Sequence, residues 1–266
     1  MKINYKETTS DLATRIDIHN QFGGRDIDKW MLEILPLKPG MKILDVACGA
    51  GKQCTSYHKH LNGNCNITGG DVSAELLAQA QERNLEIGTP FTLMELNFNE
   101  RFPFLDNQFD MASCCFAIYY AEDIPFTIRE MHRVLKPGGV LFSSGPMPEN
   151  KQLFYDIIRE ATGATIPPMP GSSRYSTGIL SAMKDTFSKV DIEIFENPLT
   201  FDSAEPFVAY TRASLSEDRK LWNDLFTDKA GFEEVMAKIA AVAEKRVAKE
   251  GKLVMTKVVG GFIATK

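Results

Sequence analysis

The sequence predicts an α/β domain built on a mainly parallel sheet, and three observations predict it. Short apolar strands alternate with helices of about ten residues between Lys42 and Ser144, the pattern of repeated right-handed crossovers. A loop of small residues follows the first strand, and an acidic residue closes the second. No internal repeat, low-complexity tract or Ser/Gly-rich linker divides the 266 residues, so one domain is expected.

Each element has its own signal. Residues 1–38 read as helix, with Ile16 and Phe22 apolar and an apolar stretch from Ile27 to Leu35, ended by Pro36 and the turn Lys38-Pro39-Gly40. Lys42–Cys48 is a buried-type strand, followed by a glycine loop and a helix from Gly51 to Leu61. Asn66–Val72 is the second strand and Ala74–Arg83 the next helix. Phe91–Leu96 is the third strand, with a loop over Asn97–Gln108. Phe109–Ile118, Ile124–Leu135 and Gly139–Ser144 give strand, helix and strand. Beyond them, Lys151–Thr162, Gly178–Phe187, Ser203–Ala213 and Phe232–Lys249 read as helical, while Val190–Phe195 and Lys257–Thr265 read as strands.

Composition narrows the function. The content is 44% hydrophobic and 24% charged, that of an ordinary globular protein. A net charge of −5 and the lack of a basic run disfavour nucleic-acid binding, which needs clustered Lys and Arg. No stretch approaches the roughly 18 apolar residues of a membrane span. The start of the chain is polar and lacks a signal-peptide core, and five cysteines form no paired framework, so a cytoplasmic location is expected. No Cys-x-x-Cys or Cys/His spacing suggests a metal.

The chemistry centres on Asp45-Val46-Ala47-Cys48-Gly49-Ala50-Gly51. Small residues there let the backbone approach a ligand, and the following helix offers free N–H groups. Asp71, at the end of the second strand, is placed to accept both ribose hydroxyls of an adenine nucleoside. A phosphate P-loop would need Lys-Ser/Thr where Lys52-Gln53 stands, and a dinucleotide site would need a third glycine where Cys54 stands. S-adenosylmethionine has no pyrophosphate, so it fits best, and Asp45 offers an anion for its methionine ammonium.

The segment Ile43–Gly51 resembles motif I of class I S-adenosylmethionine-dependent methyltransferases, and is most similar to the small-molecule group that includes the ubiquinone/menaquinone C-methyltransferases. Gly70-Asp71-Val72-Ser73 resembles the ribose motif, Asn97-Phe98 and Phe102–Asp110 the adenine loop and fourth strand, and Glu130–Gly139 the helix-turn before strand five. The resemblance implies a Rossmann-like seven-stranded sheet whose last strand is antiparallel, with helical caps at both ends. It implies a cap over 1–38, a cofactor-binding core over 39–146, and remaining strands over 147–266 with a substrate-cap insertion at about 197–256. It further implies that Ala47, Gly49, Ala50 and Gly51 line the methionine and ribose side, that Asp71 and Val72 meet the ribose, that Asn97 and Phe98 flank adenine, and that Cys115 faces the ligand. Ala47 replaces the usual glycine, which requires a negative φ there. Asn97 replaces the commoner Asp.

The acceptor side is less legible. Tyr119 and Tyr120 follow the fourth strand and are weak candidates to orient a substrate, and His19 is a weak candidate base; packing is the favoured reading of each. His132 reads as structural, and His58 and His60 diverge on a helix. Tyr5, Trp30, Tyr175, Phe207, Tyr210 and Trp222 are candidates for an acceptor pocket or for the core. The stripe Phe232, Val235, Met236, Ile239, Val242, Ala243 reads as packing rather than a membrane-surface helix, because its polar face mixes both charges. The stretch Cys114–Ala117 lacks the prolines of an exocyclic-amine methyltransferase. A small-molecule methyl acceptor with an O, N or C nucleophile is therefore expected; the alternative is a binding protein for S-adenosylmethionine or S-adenosylhomocysteine without turnover.

Overall fold

The structure, a computed structural model, describes residues 9–88, 91–164, 170–217 and 229–266. Two helices, α1 (Thr9–Phe22) and α2 (Ile27–Ile34), lead into β1 (Met41–Val46). Then come α3 (Lys52–His60), β2 (Cys65–Asp71), α4 (Ala74–Glu86), β3 (Thr92–Glu95) and β4 (Phe109–Cys115). A 3-10 turn (Ile118–Tyr120) precedes α5 (Ile124–Val134), β5 (Leu135–Pro146) and α6 (Gln152–Thr162). A short helix α7 (Pro170–Ser173), a π-helical turn (Arg174–Ile179) and α8 (Leu180–Thr186) run on into β6 (Lys189–Phe201). The helices α9 (Ala204–Glu217) and α10 (Lys229–Glu250) and the strand β7 (Leu253–Thr265) complete it.

The seven strands lie in the order β3-β2-β1-β4-β5-β7-β6. All pairs among β1 to β5 are parallel, and β7 runs antiparallel to both neighbours. The strand order reverses between β1 and β4, and ligands of open α/β sheets bind outside the carboxyl ends of the strands at such a point.

Alternation along each strand sends side chains to opposite faces. Leu44, Val46, Ala112, Cys114 and Leu141 pack with Ile128 and Met131 of α5 and Met183 of α8. Their strand neighbours Ile43, Met111, Val140 and Phe142 pack on the other face with Trp30 and Met31 of α2 and Tyr57 of α3. A third cluster forms the cap: Ile18, Phe154, Ile157, Phe207, Tyr210, Met236 and Ile239 close over Leu199, Phe201, Leu253 and Met255. The stripe on α10 thus packs inward, with Val235, Met236, Ile239 and Ala243 buried.

The largest departure from expectation is at β6 and β7. Their pairing continues past the sheet, from Asn197↔Lys257 to Phe201↔Leu253, so the cap insertion begins after Phe201 rather than near 197 and ends before Leu253 rather than at 256. Pro198 stands within this extension of β6. It is accommodated because β6 is an edge strand, where a missing N–H costs no ladder bond.

Candidate cofactor and acceptor site

Three strand ends meet at the reversal point. The β1–α3 loop turns sharply there, with positive φ at Ala47 (57°), Gly49 (53°) and Gly51 (75°). Ala47 therefore adopts the left-handed conformation, correcting the expectation of a negative φ. For a residue with Cβ this costs about 1–2 kcal/mol, held here by the ladder bond from Cys48 N–H to the Gly70 carbonyl at 3.0 Å. A Cβ placed on Gly49 would meet nothing within 4 Å, so the loop opens to free space at that point. At Gly51 it would press on Ala80 of α4 at 3.2 Å, so this glycine serves helix packing as well as the turn. Ala50 lies between them, half-buried. Gly51 caps α3 with no side-chain hydrogen bond, which leaves the first amides of that helix available to a ligand.

Asp71 is buried and held from two sides. Its Oδ2 accepts the Gly49 N–H at 2.8 Å and its Oδ1 accepts the Ser73 N–H at 2.9 Å. Each oxygen keeps a further lone pair, so the carboxylate is oriented yet able to accept hydroxyl donors. Val72 beside it is 61% exposed, an apolar surface next to the carboxylate. Asn97 forms a turn: its Oδ1 accepts the Asn99 N–H at 3.0 Å while its Nδ2 donates to Glu100 at 2.8 Å. Phe98 is half-buried against the α5 side of the core.

Asp45 takes a different position from the one its sequence context suggested. It lies beneath the loop, 2% exposed, accepting the Ser113 hydroxyl at 2.6 Å and the Cys54 thiol at 3.5 Å. Burial lifts its pKa to about 6, against the hydrogen bonds from Ser113 and Cys54. Asp45 and Ser113 are register partners on β1 and β4, so their side chains share one face. Ser113 is a site residue that sequence reasoning missed; the signal was a polar residue inside the apolar strand Met111–Cys115. Cys115 ends β4 with its thiol pushed up by burial and then by Asp45. Gln53 Oε1 nearby is buried with no hydrogen-bond partner, while the Tyr57 and Ser144 hydroxyls face the Cys115 thiol. Such an orphan is costly without a partner.

Tyr119 and Tyr120 sit together on the 3-10 turn after β4, ring centroids 4.7 Å apart and both half-buried. Tyr119 also meets Tyr175 edge-on at 6.4 Å. His19, on α1, packs edge-on against Tyr210 at 5.5 Å. Burial first, then Lys257, Lys151 and Arg15, push its pKa down to about 3, which makes it neutral and a poor proton acceptor. His132 stands edge-on to Phe187 at 5.0 Å, away from the strand ends. Trp30, Tyr175, Phe207 and Tyr210 are buried in the packing, while Tyr5 and Trp222 lie outside the described residues.

Sheet order and connectivity together define a class, a Rossmann-like α/β core of seven strands. Residues 43–139 match the family described as Methyltransferase domain. The chain is 32% identical over 145 residues to a demethylmenaquinone methyltransferase of Desulfitobacterium hafniense, covering 52% of this chain and 56% of that protein. It is 32% identical over 155 residues to a ubiquinone/menaquinone biosynthesis C-methyltransferase of Shewanella oneidensis, covering 55% and 61%. The chain thus spans less than two thirds of these curated relatives. Among solved structures, a putative methyltransferase from Bacillus halodurans superposes with a TM-score of 0.58 at 16% identity, covering 90% of this chain and 98% of that one. A methyltransferase from Geobacter sulfurreducens in complex with S-adenosyl-L-homocysteine superposes with a TM-score of 0.53 at 17% identity, covering 98% and 99%. These likenesses establish the fold. No helix among the described residues is long and apolar enough to cross a membrane.

Proposed function

We propose that this chain is a cytoplasmic S-adenosylmethionine-dependent methyltransferase that moves a methyl group to an O, N or C nucleophile of a small molecule by in-line displacement. One observation carries the reading. The Asp71 carboxylate is fixed by the Gly49 and Ser73 amides, at the edge of a loop whose Gly49 faces open space. That is a receptor for a diol beside a path for a slim chain. The first amides of α3 and the orphaned Gln53 Oε1 suit the carboxylate and ammonium of an amino-acid end. The residues present therefore fit the nucleoside cofactor.

When bound, that cofactor supplies an electrophilic methyl group on a sulfonium. The residues of this chain bind and orient. Asp71 holds the ribose end, Val72 and Phe98 bracket the base with Asn97 at its edge, and Ala47 to Gly51 line the middle. Asp45 acts through Ser113 and Cys54, keeping β1 and β4 in register under the loop rather than touching the ligand. Cys115 closes the floor, and Tyr119 and Tyr120 orient the acceptor. The gain is proximity and exclusion of water, so a base is needed only when the nucleophile arrives protonated.

A binding protein without turnover is the weaker reading, since the named relatives are methyltransferases. The test is transfer of a labelled methyl group from S-adenosylmethionine to a panel of small acceptors, starting with hydroquinones because of those relatives. Label in an organic product supports the reading. Tight cofactor binding with no product across phenols, amines and carboxylates contradicts it.

A further inference from the structure

We propose that Cys48 and Cys54 are a reversible modification site, a thiol pair that peroxide converts to a disulfide and that thereby closes the β1–α3 loop to its ligand. The bond stands on the geometry of the loop; its effect on S-adenosylmethionine rests on the methyltransferase reading.

The turn itself brings the two sulfurs together. Cys48 lies in the loop between Ala47 and Gly49, and Cys54 lies in the first turn of α3. Both are buried free thiols. They meet over β2 at Gly69, where a Cβ would come 3.0 Å from Cys48 Sγ and 3.2 Å from Cys54 Sγ. The pair thus fills the space above one glycine. The Cys48 side chain is the largest of the influences that push the Cys54 thiol up, ahead of burial and Asp45. Cys48 is held at its backbone: its N–H donates to the Gly70 carbonyl and its own carbonyl accepts the Gly51 N–H, both at 3.0 Å. Its thiol donates to the Gly49 carbonyl at a long 3.7 Å. Between the two cysteines, Gly49 and Gly51 sit at positive φ and give the backbone freedom to bring the sulfurs into bonding distance.

Buried cysteines are as a rule inert packing residues, and two features set this pair apart. The sulfurs are neighbours before any bond forms, and Cys48 adjoins Gly49, where the loop opens to free space and admits a molecule as small as hydrogen peroxide. In the first step the Cys48 sulfur attacks peroxide. An S–O bond forms, the O–O bond breaks, and hydroxide leaves as water with the thiol proton, which makes Cys48 a sulfenic acid. In the second step the Cys54 sulfur attacks the sulfenic sulfur. The S–S bond forms, the S–O bond breaks, and hydroxide leaves as water with the proton of Cys54, which already points at Asp45 Oδ2 across 3.5 Å. The two thiols give up two electrons, and peroxide ends as two waters. The bond ties the loop to α3 beside Gly49, whose N–H holds Asp71 at 2.8 Å. A loop tied in this way no longer presents the Gly49 amide and the Asp71 carboxylate together. Disulfides of this kind in a reducing compartment are transient and redox-sensing.

The test treats the full chain with hydrogen peroxide, alkylates the remaining thiols and maps tryptic peptides by mass spectrometry, with calorimetric titration of S-adenosylhomocysteine on the intact protein. Trypsin cuts after Lys42, Lys52 and Lys59, so Cys48 and Cys54 fall on separate peptides, 43–52 and 53–59, and Cys65 falls on a third. Peroxide is expected to join peptide 43–52 to 53–59, and dithiothreitol to separate them. The linked protein is expected to bind S-adenosylhomocysteine at least tenfold more weakly than the reduced one, with affinity restored by dithiothreitol. Cys54→Ser keeps a hydroxyl donor for Asp45 and is expected to give no linked peptide, while dimedone then traps the sulfenic acid on peptide 43–52. No linkage between these two peptides, or linkage of Cys48 to the peptide of Cys65 instead, overturns the pair. Equal S-adenosylhomocysteine affinity in linked and reduced protein overturns the closing of the loop. Linkage in a chain whose reduced form ignores S-adenosylhomocysteine overturns the methyltransferase reading and leaves the bond standing.

Discussion

Asp71 ends β2 and Asp45 stands one residue before the end of β1, and in the proposed site only the first meets the ligand. Asp71 is oriented by two backbone amides at 2.8 and 2.9 Å and keeps acceptor capacity for a diol. Asp71→Ala is expected to weaken S-adenosylhomocysteine binding by about 1–3 kcal/mol through lost hydrogen bonds, measured by calorimetric titration; unchanged affinity would remove Asp71 from the site. Asp45 is sealed beneath the loop, and burial raises its pKa to about 6. A carboxyl raised in the folded state binds more protons there than in the unfolded chain. Its contribution is therefore greatest below the unfolded value near 4 and declines as pH rises to about 6. Denaturant titrations from pH 4 to 7 should show the wild type losing roughly 2–3 kcal/mol relative to Asp45→Asn over that interval. Parallel curves for the two proteins would contradict the assignment.

At the scale of elements, the π-helical turn Arg174–Ile179 locks onto the α5 face of the sheet. Tyr175 stacks on Phe262 of β7, with centroids 4.4 Å apart and 6° between planes. Its hydroxyl donates to the Ser143 carbonyl at 2.7 Å, with the Gly260 carbonyl at 3.1 Å. Gly145 exists there because a Cβ would come within 2.6 Å of that ring. Tyr175→Phe keeps the stack and loses the bond, so it should cost about 1–3 kcal/mol in chemical denaturation without altering S-adenosylhomocysteine affinity. The elements differ in how far the sequence disclosed them. The loop Asp45–Gly51 and Asp71 were legible because small residues and a carboxylate stand at fixed spacing at two strand ends. Ser113 was not. It meets Asp45 through the pairing of distant strands, which no local spacing records. The same reason hid the length of β6, whose Pro198 reads locally as a stop. The φ of Ala47 was misjudged because a local steric rule was outweighed by the register of β1 and β2 around it.

Across the whole molecule, two core clusters sandwich the sheet and a third forms the cap, so the proposed cofactor and acceptor sides rest on separate packing units. This division explains why the fold and cofactor loop match many methyltransferases while the acceptor has to be sought in the cap. It also means that ligand binding to the loop should stabilise the chain as a whole, by about 2.7 kcal/mol at a hundredfold excess over Kd. The measurement that bears most directly on the account is calorimetric titration of the protein with S-adenosylmethionine, S-adenosylhomocysteine and NAD in parallel. The account predicts micromolar binding of the first two and none of NAD. Binding of NAD alone, or of none of the three, would contradict it.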